Sequence, residues 1–96
     1  MKVVFKNTAT NDLEQIVDYI ADYNPARAAS LVQELRVRAL KIGDFPQAYP
    51  VIGRFGAREL RRCVHGNYLI FYRIARGRVE ILQVVHGARN FDPNLF

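Results

Sequence analysis

Two clusters hold most of the side chains whose types and spacing can do chemistry. The first is Arg54, Arg58, Arg61 and Arg62. Guanidinium groups hold carboxylates or phosphates through planar, forked hydrogen bonds that lysine cannot make. In an extended strand Arg58, Leu60 and Arg62 share one face, and Glu59, Arg61 and Cys63 share the other. Arginines so placed either recognise an anionic partner or deter sheet-to-sheet pairing at an edge. The second cluster is His86-Gly87-Ala88-Arg89-Asn90, where an apolar run passes into a polar tail. A strand end holds groups firmly and leaves them accessible, and Gly87 permits a sharp bend there. The plainer alternative is a turn with His86 packed or hydrogen-bonded. Tyr68 and Tyr72 share a strand face with Ile70 and Ile74. Beside arginines they can stack bases, or they can simply line a core.

Other chemistries lack parts. Ser30 is the only serine, and it lies in a helical pattern with no Gly-x-Ser-x-Gly turn to expose it. Cys63 sits in a strand pattern, at no known spacing from His65 or His86. Two histidines and one cysteine make a poor zinc set, so no metal is expected. No glycine-rich loop leads from a strand into a helix to cradle phosphates, and no cofactor is expected. The carboxylates Asp12, Glu14, Asp18 and Asp22 fall on one helical face and read as solvated charges.

The chain has 96 residues and a net charge of +5, with 50% hydrophobic and 24% charged residues. That length predicts one domain, 1–96, with a single core. The composition is too apolar for intrinsic disorder. One cysteine cannot form an intramolecular disulfide, no apolar run reaches membrane-spanning length, and the N-terminus does not read as a signal peptide. A cytoplasmic location with no membrane partner is the expectation. Residues 1–48 carry equal numbers of basic and acidic groups, so the whole net charge lies in residues 49–96. Every cation in that second half is arginine. Such a half suits nucleic acid or an acidic protein segment.

Periodicity supplies the elements that must position these groups. Residues 2–5 (KVVF) predict an opening strand. Leu13, Ile16, Val17 and Ile20 follow helical spacing after a cap at Thr8 or Thr10, with Asp12 favourable at the positive helix end. Asn24-Pro25 restarts the pattern as a second helix through Leu31, Leu35, Ala39 and Ile42, stopped by Gly43. Residues 43–57 read as one long irregular segment. Strands are expected at 58–64, 67–74 and 78–86, joined by glycine-containing turns. In the last strand the alternation of apolar residues is imperfect. The expected architecture is α+β, β-α-α-β-β-β, with a helical hairpin packed on a small, mainly antiparallel curved sheet.

The whole chain resembles the ParE/RelE toxins of bacterial type II toxin–antitoxin modules. The resemblance rests on phrases in the family's order: ATNDLEQIVDYIA, Asn24-Pro25 with its helix, FPQAYPVIGRFG, RELRRC, NYLIFYRI and EILQVVHGARN. The closing VVHGARN looks most like the ParE branch. That likeness implies the same fold and a cognate ParD-like antitoxin that wraps the toxin. It also implies DNA gyrase as target, inhibited by binding and with no catalytic residue. His86, Arg89 and Asn90 are then the expected activity residues. The antitoxin is expected to cover Arg58, Arg62 and the helix residues Leu31 and Leu35, and nucleic acid to bind only indirectly or weakly. RelE-like members instead cut messenger RNA in the ribosome, and a toxin fold without activity would only bind its partner. The RelE pattern has an arginine directly after the middle-strand tyrosine, where this chain has Leu69. It has a second arginine after the last strand, matched by Arg89, and a tyrosine near the C-terminus, where this chain has Leu95 and Phe96. Glu59 and His86 correspond loosely to nucleases that use a glutamate and a histidine.

Overall fold

The computed structural model describes residues 1–87. Strand β1 (Lys2–Phe5) leads into helices α1 (Asn7–Ala21) and α2 (Pro25–Ile42). Four strands follow: β2 (Val51–Phe55), β3 (Arg58–His65), β4 (Tyr68–Ala75) and β5 (Arg78–His86). They form one sheet in the order β1-β5-β4-β3-β2. β1 runs parallel to β5, and the other three pairings are antiparallel. The α+β class and the order of elements are therefore as expected. The sheet has one strand more than the periodicity revealed. β2 is short, carries Gly53 inside it, and shifts register between Val51 and Gly53. Those breaks erase the period-two signal and made the segment read as loop.

Helix α2 starts and stops as its residues dictate. The Asn24 side chain accepts a hydrogen bond from the Arg27 N–H at 3.1 Å, and Pro25 takes the first turn, where no N–H is needed. Gly43 closes it with an ordinary right-handed backbone, so space explains the glycine, not conformation. A Cβ there would overlap the Met1 carbonyl oxygen and stand 2.9 Å from a Val3 methyl. Gly43→Ala should therefore cost about 1–3 kcal/mol, the usual range for overpacking, read as a lower urea midpoint. Helix α1 begins earlier than its threonines suggested. Its N-cap is Lys6, which makes no side-chain cap bond. Asp12 consequently lies beyond the first turn, and its role is not to offset the helix dipole.

The core lies between the helical hairpin and one sheet face. Ala9 and Leu13 of α1 and Leu31, Leu35, Ala39 and Ile42 of α2 pack on Cys63, Ile70, Tyr72, Val79, Ile81 and Val84. Leu31 and Leu35 are 3% and 1% exposed, which corrects their expected place on a partner surface. The apolar period that suggested a contact face is the period that builds the core. The exposed large apolar residues of α2 are Val37 and Leu40.

The imperfect alternation in β5 has a cause. Phe71 pairs with Gln83 and Tyr72 with Ile81, so Leu82 is an extra residue in the ladder. This bulge returns Val84 to the helix side after Ile81. Leu82 joins Leu60 and Phe71 in a second buried cluster on the opposite sheet face, with Leu69 and Val85 packed against it.

Candidate functional site

The bulge also shapes the end of the sheet where His86 lies. β1 pairs with β5 only as far as Ile81. Beyond that point two side chains of α1 take over from a strand neighbour. The Thr8 hydroxyl donates to the Leu82 carbonyl at 2.5 Å, and the Asp12 carboxylate accepts from the Val84 N–H at 2.9 Å. Backbone groups of an edge strand need such partners once water is excluded. Thr8 and Asp12 stand one helical turn apart, so one face of α1 supplies both.

This clamp leaves a cleft of about 250 Å³ between α1 and the ends of β4 and β5. Its apolar walls are Ile16, Ile20 and Val84, and its polar groups come from Asp12, Gln15, Tyr19, Tyr68 and His86. Tyr68 and His86 are paired across β4 and β5, with ring centroids 5.3 Å apart in an edge-on contact. Gly87 donates its N–H to the Asn67 carbonyl at 2.6 Å, and a Cβ at Gly87 would come within 3.2 Å of that oxygen. Close approach explains this glycine, because its backbone angle is not left-handed.

Burial pushes the Asp12 carboxyl above the ordinary carboxylate value, and the Val84 hydrogen bond only partly offsets it. Its native pKa therefore exceeds its unfolded one, so ionisation weakens the fold as pH rises through the native value. Asp12→Asn keeps an acceptor for Val84 and removes the charge. It should leave stability at neutral pH unchanged or raise it by up to about 1 kcal/mol, and flatten this pH dependence in thermal melts.

The arginine cluster divides by face. Arg61 points to the helix side and pins the loop before β2, donating to the carbonyls of Tyr49 at 2.6 Å and Gln47 at 3.2 Å. Arg54 pairs with Glu59 at 2.7 Å. Arg58 is exposed, and the half-buried Arg62 has its Nε buried without a hydrogen-bond partner. Both lie on the sheet face opposite the helices, beside Leu60. On that face Glu80 is buried between Arg73 at 2.7 Å and Arg78 at 3.0 Å.

Other expected candidates are structural. Tyr72 is fully buried and donates its hydroxyl to the Pro46 carbonyl at 2.6 Å, so it cannot stack a base. Burial pushes the Cys63 thiol up, against the pull of the Arg38 charge, which leaves it a poor nucleophile. His65 sits 3.2 Å from Glu34 and ties β3 to α2. Hydrogen bonds from Arg27 and His65 hold the Glu34 carboxyl below its ordinary range. Among the described residues no cluster of His, Cys, Asp and Glu could hold a metal, and no helix is long and apolar enough to cross a membrane. Arg89 and Asn90 lie outside the described residues. The residues sequence reading does not find are Thr8 and Asp12 as joint partners of the β5 backbone. Their i, i+4 spacing beside the buried Ala9 was the available signal.

Comparisons with known proteins agree with this architecture. Residues 3–91 match the family model of the ParE toxin of the type II toxin–antitoxin system parDE. The chain is 33% identical to Toxin RelE2 of Caulobacter vibrioides over 89 residues, covering 92% of this chain and 97% of that one. A structure of the chromosomal ParDE system of P. aeruginosa superposes with a TM-score of 0.73 at 16% identity, over 90% of this chain and 95% of that one. The RelBE2 toxin–antitoxin complex of Mycobacterium tuberculosis gives 0.58 at 25% identity, over 92% of both chains. With the helical hairpin, the mixed sheet and a match that spans nearly all of its length, the chain belongs to the ParE/RelE family of type II toxin–antitoxin toxins.

Proposed function

We propose that this toxin is ParE-like: it inhibits DNA gyrase by binding and is neutralised by a ParD-like antitoxin. What supports this reading is the surroundings of Leu69. Leu69 occupies the place of the arginine in the RelE pattern, and it packs with Val85 against the buried Leu60, Phe71 and Leu82. The Leu69 side chain offers no charge to a phosphoryl transition state, which nuclease chemistry of this kind needs at that place. His86, Arg89 and Asn90 are the proposed target contacts. Arg58 and Arg62 are proposed to meet acidic residues of the antitoxin through their guanidinium groups.

Supercoiling by purified gyrase tests the reading. Added toxin should inhibit it, and antitoxin should restore it. Full supercoiling at high toxin excess would overturn the proposal. Arg89→Ala should lose most growth inhibition at equal expression, and unchanged toxicity would remove Arg89 from the site. The identity to Toxin RelE2 favours a second reading, cleavage of messenger RNA on translating ribosomes. That reading predicts cut transcripts with gyrase unaffected.

A further inference from the structure

The cleft beside His86 has a chemistry opposite to that of the chain as a whole. The protein carries a net charge of +5, yet α1 contains Asp12, Glu14 and Asp18 and no basic residue. Among the described residues no lysine or arginine lines the cleft. At its polar end one Asp12 oxygen is committed to the Val84 N–H, and the other has no bonding partner among the described residues. Ile16, Ile20 and Val84 provide aliphatic walls, and Tyr19 and Tyr68 add two phenol rings. This combination fits a long side chain with an apolar stem and a cationic head. The stem would lie on the aliphatic wall, and the head would meet the carboxylate beside aromatic rings.

We propose that this cleft is a subsite for an arginine side chain presented by a partner protein, with Asp12 as its counter-ion. Charge complementarity favours arginine over an acidic or neutral side chain. A planar guanidinium can bond the available carboxylate oxygen while lying against a tyrosine ring. The burial that raises the Asp12 pKa works in the same direction, because an arriving cation relieves an under-compensated carboxylate. The subsite stands apart from the arginine-bearing sheet face, so one partner can meet both signs of charge, or two partners can meet one each. The inference does not depend on gyrase being the target.

The test is a titration of the isotope-labelled toxin with N-acetyl-arginine amide, followed by amide chemical shifts. The expected result is a saturable shift of the Val84 amide, together with the amides of Ile16 and Tyr68. Binding should weaken by about tenfold or more in Asp12→Asn, the scale of losing one partly desolvated charge pair. N-acetyl-norleucine amide, which keeps the stem and lacks the charge, should produce no saturable shift. Asp12→Asn retains the acceptor for Val84, so an unchanged spectrum elsewhere verifies that it is folded. If Asp12→Asn proves unfolded, Gln15→Arg, which brings a competing cation to the cleft, should block the shift instead. An absent wild-type response, an equal response in Asp12→Asn, or an equal response to the norleucine compound would each overturn the proposal.

Discussion

Glu80→Ala should destabilise the isolated toxin by up to about 3–5 kcal/mol in urea denaturation, because it takes the buried carboxylate away from the partly buried Arg73 and Arg78. Glu80 is 2% exposed and holds Arg73 with one oxygen and Arg78 with the other. A domain of this size has only about 5–15 kcal/mol in total, so the variant should approach the limit of folding. Removing Arg73 as well should cost less than the sum of the single changes, since the two groups share one ion pair. The same group sets an acid limit. Burial pushes the Glu80 pKa up, but hydrogen bonds from Arg73 and Arg78, with the charges of Arg73 and Lys6, hold it below the ordinary 4.5. Between the native and unfolded values the unfolded chain binds more protons. The stabilisation is therefore complete above the unfolded value and is lost as pH falls through the native one. Glu80→Gln should flatten that acid limb, and an unchanged limb would assign it to other carboxylates.

Tyr72 should be the most sensitive aromatic position. Its ring is fully buried between the sheet and the helices and stands edge-on to Tyr49 at 6.2 Å. Tyr72→Ala should cost about 3–5 kcal/mol through lost burial and the cavity left behind. Tyr72→Phe keeps the ring and loses only the bond to Pro46, so about 0.5–1.5 kcal/mol is expected. A small gap between the two variants would mean that the hydroxyl, and not the ring, is what the fold needs. Burial pushes the phenol up to about 12, above its ordinary 10.0. Its native pKa exceeds the unfolded one, so its stabilisation is complete below 10.0 and is lost as pH rises towards 12. Tyr72→Phe should flatten that alkaline loss.

Much of this architecture was legible because its signals are local. Asn24, Pro25 and Gly43 mark the ends of α2 by capping chemistry and space, and the hairpins before β4 and β5 are fixed by their turns. Arg76 and Gly77 are both left-handed, as a tight two-residue turn demands. What stayed hidden depends on partners far away in the chain. β2 exists because β3 offers it a ladder, and its own residues carry a broken pattern. The apolar period of α2 was read correctly, but a period shows that a face is buried and not what buries it. Leu31 and Leu35 therefore belong to the core and leave the surface to Val37 and Leu40. At the site, His86 and the split of arginines between two faces followed from position and alternation. Asp12 did not, because its role comes from a backbone amide 72 positions later.

That long reach bears on how the protein is made. β1 has β5 as its only described strand neighbour, and Thr8 and Asp12 find their acceptor and donor on β5 as well. The early elements β1 and α1 are thus completed by β5, the last described strand. Until β5 emerges, β1 lacks its ladder and α1 lacks its clamp, and closing so long a loop slows the final step. A nascent toxin arrested short of Val84 should remain protease-sensitive and harmless, so an antitoxin already in solution meets each new copy as it closes.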